Sequence, residues 1–234
     1  MSAASTSHHD IRRHFDEVLD ALRRGTVEMG SLVLANTRRL TEALLDNDLD
    51  IARAVVDADD EIDDRYTELE RLAFETMARQ QPVAGDLRFL VTMTRLLYEI
   101  ERSGDLVVNA AKGLLRQEGY VLLPEVAALL GRIGASVAGL FAESIDVLAD
   151  LDGGAYVRME RRDDEVDDLV GEFYSMIGSS SDALGFEVAV ELSRVGRYLE
   201  RIADHGVNIA EHVAFVVTGS FPEDEKSPAP ADEG

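Results

Sequence analysis

Apolar residues recur along this chain every three or four positions. Leu32, Ala35, Leu40, Ala43 and Leu44 form one apolar face, Ile51, Val55, Ile62, Tyr66 and Leu69 a second, and Leu192, Val195, Leu199 and Ile202 a third. That spacing places side chains on one side of an α-helix. No sustained alternation rich in β-branched residues marks a strand. The pattern breaks at 46–50 (DNDLD), 80–86 (QQPVAGD), 117–125 (QEGYVLLPE), 150–154 (DLDGG) and 178–182 (GSSSD), and Asp86 and Asp182 read as acids at helix N-termini. The chain is therefore predicted to be all-α, with six long helices joined by short links and so packed antiparallel. Residues 1–7 and the acidic, proline-rich stretch 220–234 are expected to be disordered.

Two phrases in this pattern are written twice. DDEIDD at 59–64 returns as DDEVDD at 163–168, a shift of 104. The skeleton E-R-x-x-D-x-x-x-N at Glu101, Arg102, Asp105 and Asn109 returns at Glu200, Arg201, Asp204 and Asn208, a shift of 99. Two motifs repeated in the same order predict two pseudo-symmetric three-helix bundles in tandem, over 8–118 and 119–219. The drop from 104 to 99 means that the first half holds five extra residues between its motifs, which the sequence assigns to the connection at 78–86.

Charge narrows the partners. The 234 residues carry 46 acids against 23 bases, a formal net charge of -23. A field of that sign repels phosphate backbones, so no nucleic-acid partner is expected; cations and basic protein surfaces are the natural ones. The chain has no cysteine, which excludes disulfides and thiolate metal sites. The N-terminus shows no apolar leader and no run of 18 apolar residues is evident, so a cytoplasmic protein without membrane insertion is expected.

The acids are placed as oxygen ligands would be. Residues four apart share a helix face, so Asp59 with Asp63 and Asp163 with Asp167 sit on the shoulder of an apolar stripe, ready to meet a neighbouring helix. Asp60 and Asp64 point to solvent. Glu101, Asp105 and Asn109 make a second line, and Glu200, Asp204 and Asn208 repeat it facing away from the Leu192–Ile202 stripe, which puts the sites at the bundle surface. Gly104 and Ala203, just before the aspartates, leave room for close approach. Like charges four apart cost a few tenths of a kcal/mol on an isolated helix, and a hard cation such as Mg, Ca, Mn or Fe would offset them. The competing reading is that Arg102, Arg201, Arg95 and Arg194 neutralise the acids by ordinary ion pairs. A Glu-x-x-His di-iron motif is absent. His205, next to Asp204, reads as a surface histidine with assistance to a metal as the alternative, GSSSD reads as a loop and cap, and no phosphate-binding loop or nucleophile motif appears. No catalytic residue is expected.

The stretch RYLERIADHGVNIAEHVAFVVTG (197–219), together with GDLRFLVTMTRLLYEIERSGDLVVN (85–109), HFDEVLDALRRGTVEMGSLV (14–33) and the repeated D-x-x-x-D pairs, resembles the PhoU family over nearly the whole chain. The resemblance implies two tandem three-helix bundles that bind metal clusters at their surface. Carried over position by position, one site would use Asp59, Asp63, Glu101 and Asp105 and the other Asp163, Asp167, Glu200 and Asp204, with Asn109 and Asn208 extending each line. The metal would be a divalent or trivalent ion (Mg, Mn, Fe, Zn or Ca). The implied role is not enzymatic: a homodimeric regulator that holds the phosphate-starvation response off and restrains phosphate uptake, through a phosphate ABC transporter and a sensor histidine kinase. Ser103-Gly104 departs from the Ile-Gly frequent in the family. Two alternatives stand beside this reading, a metal-free acidic adaptor that binds basic protein surfaces and a metal-dependent hydrolase.

Overall fold

The structure is a computed structural model that describes residues 2–222, with side chains from residue 12 onward. It is all-α, with no strand among the described residues. Among the described residues six long helices and one short one follow in order: α1 (Ser2–Asp46), α2 (Leu49–Asp57), α3 (Asp59–Gln80), α4 (Ala84–Arg116), α5 (Pro124–Asp150), α6 (Tyr156–Leu184) and α7 (Phe186–Thr218). Helix α1 thus takes in residues 2–7, the stretch expected to be loose. Of the expected tail, Phe221 stacks on Phe215 with ring centroids 4.3 Å apart, and residues 223–234 lie outside the described residues.

Two boundaries differ from the sequence reading. The helix expected to run unbroken through Ile51 and Leu69 is interrupted at Ala58, so that α3 starts at Asp59 itself. The break predicted at 178–182 lies instead at Gly185, and Asp182 falls inside the last turn of α6 rather than opening a helix. The serines explain this. Ser179 and Ser181 donate to the carbonyls of Met176 and Gly178, three residues back, and so ride within the helix instead of capping a new one. Gly185 has φ +82, a conformation that favours glycine, and the chain turns there. The other breaks lie where the pattern put them. At the first, Asp48 caps α2 by accepting from the N–H groups of Asp50 and Ile51 at 2.9 and 3.0 Å, a contribution of about 1 kcal/mol.

The packing explains why two repeats make one molecule. Helix α1 packs on α4 and α5, and α7 packs on α4 and α5, so these four make a central square; α3 leans on α1 and α4, and α6 on α5 and α7. The most extensive contact, α4 on α7, joins the two repeats rather than lying within either. The buried apolar residues accordingly form a single cluster that runs through both halves, with Phe141 and Phe173 among the largest fully enclosed side chains. Each such side chain contributes roughly 1.5–3 kcal/mol. Helix α5 is apolar and long enough to cross a membrane by length and hydropathy alone, contrary to the expectation that no segment would be. Its apolar side chains, Leu130, Val137, Leu140 and Phe141 among them, are buried in the core against α1, α6 and α7.

Helices α4 and α7 run antiparallel about a local two-fold. Glu99 meets His205 and Asn208, whereas Gly113 and Arg116, further along α4, meet Glu191 earlier on α7. The pairs Glu99–His205 and Gly113–Glu191 obey one register. The link between α3 and α4 is residues 81–83, whereas Gly185 alone joins α6 to α7, and the rest of the five-residue excess lengthens the start of α4.

Candidate metal centres

Helix α3 opens with Asp59, Asp60 and Glu61 in its first turn, where the helix dipole favours negative charge. Asp59 and Asp63 face α4, where Glu101 and Asp105 stand one turn apart. The four acids feel one another. Burial raises the Asp59 carboxyl above its usual range, and Asp63 and Asp105 push it further. Asp63 is raised by burial and then by Asp105, and Glu101 by burial and then by Asp105, with Arg102 opposing. Arg102 Nη1 donates to Asp105 Oδ2 at 2.8 Å. Asp60 and Asp64 are exposed, as the spacing predicted. Gly104 lies beside Asp59, Val33 and Ile62, and a methyl group there would meet them at 3.6–3.9 Å, ordinary contact distances. Gly104→Ala, the residue the second repeat carries at Ala203, is therefore expected to raise stability by about 0.5–1 kcal/mol through helix propensity. Thermal melting checks it; a drop in Tm would show that this helix pair is closer than it stands here.

The second repeat builds the same arrangement from α6 and α7, with a stronger field. Asp163 is pushed up to about 7, first by burial and then by Asp204, Asp167, Asp164 and Glu200. Its Oδ1 is buried without a hydrogen-bond partner. Asp167 is raised by burial, Glu200 and Asp204, and Asp204 by burial and Glu200, with Arg197 opposing. Arg197 Nη1 donates to Glu200 Oε1 at 2.7 Å. One difference between the sites is plain: Lys112 eases Asp59 and Asp63, whereas the shift of 99 puts Glu211 at the matching place on α7. A cleft of about 340 Å³ opens beside Asp163, between Tyr156 and Val207.

The donor set is all oxygen, which suits hard cations, and the orphaned Asp163 Oδ1 is an acceptor with nothing to accept from. Among the described residues no three Asp, Glu or His side chains converge on one point as they stand. Asp105 and Glu200 are held by Arg102 and Arg197 in the hydrogen bonds given above.

The asparagines divide. Asn109 is exposed on α4, one turn beyond Asp105. Asn208 turns towards the other repeat and donates to Glu99 Oε2 at 3.1 Å. His205, read from the sequence as a surface residue, is 9% exposed, and its Nδ1 lies 2.5 Å from Glu99 Oε2. It is buried because its side of α7 is covered by α4 of the first repeat, a contact that apolar stripes within one repeat do not reveal. Burial works to raise Glu99, but the hydrogen bonds from His205 and Asn208 prevail and hold it below the usual range. Glu191 was likewise missed: 1% exposed, it pairs with Arg116 at 3.3 Å and Arg194 at 3.2 Å. The signal for both was available as unmatched residues in the repeat, since the shift of 99 pairs His205 with Leu106 and Glu191 with Thr92.

Comparison with known proteins agrees with this architecture. A family model described as the PhoU domain matches twice, at residues 26–114 and 130–213, once in each repeat. A Mycobacterium leprae protein named phosphate-specific transport system accessory protein PhoU homolog 1 is 34% identical over 222 residues, which cover 93% of this chain and 99% of that one. A Synechocystis homologue of the same description is 31% identical, covering 89% of this chain and 93% of that protein. The crystal structure of PhoU from Pseudomonas aeruginosa superposes with a TM-score of 0.82 at 27% identity, covering 88% of this chain and all of that one.

Proposed function

The chain belongs to the PhoU family, and on that footing we propose that it is a metal-binding regulatory adaptor of a phosphate import system rather than an enzyme. In this reading it works in the cytoplasm as a homodimer, holds the phosphate-starvation response off and restrains uptake when phosphate is plentiful. It does so through the cytoplasmic parts of the phosphate ABC transporter and of a sensor histidine kinase. The observation that carries the reading is the matched pair of acid quartets, Asp59, Asp63, Glu101 and Asp105 in one repeat and Asp163, Asp167, Glu200 and Asp204 in the other. Within each, half-buried and exposed carboxylates raise one another, a burden that a bound cation would relieve. A bound cation supplies the positive charge that lets four carboxylates share one surface. The chain's own part is to offer oxygens from two helices at once, so that occupancy ties α3 to α4 and α6 to α7. Arg102 and Arg197 serve as internal counter-charges until then.

Two measurements test this. Protein prepared without a histidine tag is expected to carry metal, lost when Asp63→Ala and Asp204→Ala are combined; failure of the wild type to bind Mg, Mn, Fe, Zn or Ca favours the metal-free adaptor. Wild-type protein is also expected to bind the purified cytoplasmic parts of transporter and kinase, with affinity that depends on phosphate or metal. Absence of binding at every phosphate and metal level would overturn the regulatory reading.

A further inference from the structure

The two acid quartets differ most at Asp59 and Asp163, which hold the same place in the two repeats. Asp59 has a basic neighbour in Lys112, which opposes the push of Asp63 and Asp105 and acts on Asp63 as well. Lys112 is the only lysine among the described residues. It lies on the α4 line of Glu101, Asp105 and Asn109, two helical turns past Asp105. No ion pair among the described residues uses up its charge. The same place on α7 is Glu211. In the second quartet Arg197, His205 and Arg201 act on Asp204, and Arg197 on Asp167. The charged groups that act most on Asp163 are all carboxylates, those of Asp204, Asp167, Asp164 and Glu200. Asp163 Oδ1 is also buried without a hydrogen-bond partner, as no oxygen of the first quartet is.

We propose that Lys112 is a built-in counter-ion that makes the first quartet the weaker cation site, so that a divalent metal fills the second quartet before the first. This rests on the reading above that both quartets bind metal. An ammonium beside Asp59 and Asp63 repels an incoming cation and already supplies part of the charge that the cation would bring. The second quartet has an acid in that place. It also has, in Asp163 Oδ1, an acceptor that has lost its water and gained no donor, and such an oxygen gains most from a metal. The arginines do not cancel this contrast, since Arg102 on Asp105 and Arg197 on Glu200 each engage a single acid of their own quartet. Over the range of metal concentration between the two affinities, α6 would be tied to α7 while α3 and α4 rely on Lys112. The two repeats would thus respond to metal in sequence rather than together.

The experiment measures Mn binding from the paramagnetic resonance signal of free Mn, on metal-free protein without a histidine tag. Asp204→Ala leaves the first quartet intact and Asp63→Ala the second, and melting curves establish that each variant is folded. The second quartet is expected to bind Mn about 10-fold more tightly than the first. Lys112→Glu in the Asp204→Ala protein should remove most of that difference. Lys112→Met, whose thioether is a poor ligand for Mn, should tighten the first quartet about 3-fold, which separates loss of the ammonium from gain of a new carboxylate. Glu211→Lys in the Asp63→Ala protein should weaken the second quartet about 10-fold. Equal affinity of the two quartets overturns the inference while the metal reading stands, and so does a first quartet that Lys112→Met leaves unchanged or a second that Glu211→Lys leaves unchanged. A wild type that binds no Mn removes the metal reading and this inference with it.

Discussion

The Gly113→His variant is expected to unfold at a temperature roughly 5–10 °C below the wild type, and adding Glu191→Thr to it should recover most of the loss. A Cβ at Gly113 would stand 1.8 Å from Glu191 Oε1 and 2.7 Å from its carboxyl carbon. Glu191 is 1% exposed and held by Arg116 and Arg194, so it must give up both ion pairs to move. Overpacking of this kind costs about 2–3 kcal/mol. The compensating change is read from the molecule itself. The register that joins Gly113 to Glu191 on one side of the local two-fold places His212 and Thr92 at the matching positions on the other. Gly113→His and Glu191→Thr together would thus transplant a combination that the opposite end already uses. Calorimetry on the four members of the cycle measures the coupling. A double variant as unstable as Gly113→His alone would mean that the clash with Glu191 is not what closes that position.

Metal-free protein should lose stability as the pH rises through about 7, and Asp163→Asn should remove most of that loss. Asp163 titrates near 7 in the folded chain, against about 3.9 in an unfolded one. Its folded pKa is raised, so its share of stability is fully present below about pH 4 and is lost as the pH climbs through about 7. The carboxyl is half-exposed, and after allowance for solvent screening the loss is on the order of 1–2 kcal/mol. His212 works the other way. Burial lowers its pKa, so it contributes stability at higher pH that is lost on acidification. The informative quantity is therefore the difference between the melting curves of wild type and Asp163→Asn from pH 5 to 8, in which His212 cancels. Saturating Mn should abolish the wild-type loss at pH 8, because binding to the folded state alone adds stability by mass action. A difference curve that stays flat across this range would mean that Asp163 ionises freely in the folded protein. A wild type whose melting temperature no cation changes would remove the basis for a metal at this site.

Much of this molecule was legible before any coordinate. The 3.6-residue period of Leu32 to Leu44 and its fellows gives the helices, and the breaks at Asp48, Pro82 and Pro124 declare themselves through residues with one local use. The acid quartets were legible for the same reason: spacing of four along a helix is a statement about direction. What escaped was decided by choices that local chemistry leaves balanced. Serines at 179 and 181 serve a cap or a helix interior equally well, and Ala58 carries no mark of a break. Glu99, Glu191 and His205 escaped for another reason. Each sits on a helix side that is polar within its own repeat and is buried only by the other repeat, so no pattern confined to one helix shows it.

The antiparallel α4–α7 pair gives the molecule one seam whose two ends need not match. In a homodimer built about such an axis every contact across it would occur twice, so a buried carboxylate at one end would require an identical one at the other. With both repeats in one chain that constraint is absent. One end holds Glu191 against Gly113, whereas the matching places at the other are Thr92 and His212, and Glu99 meets His205 while the place of Glu99 on α7 is Tyr198. A single chain can therefore tune the two ends of its central seam separately.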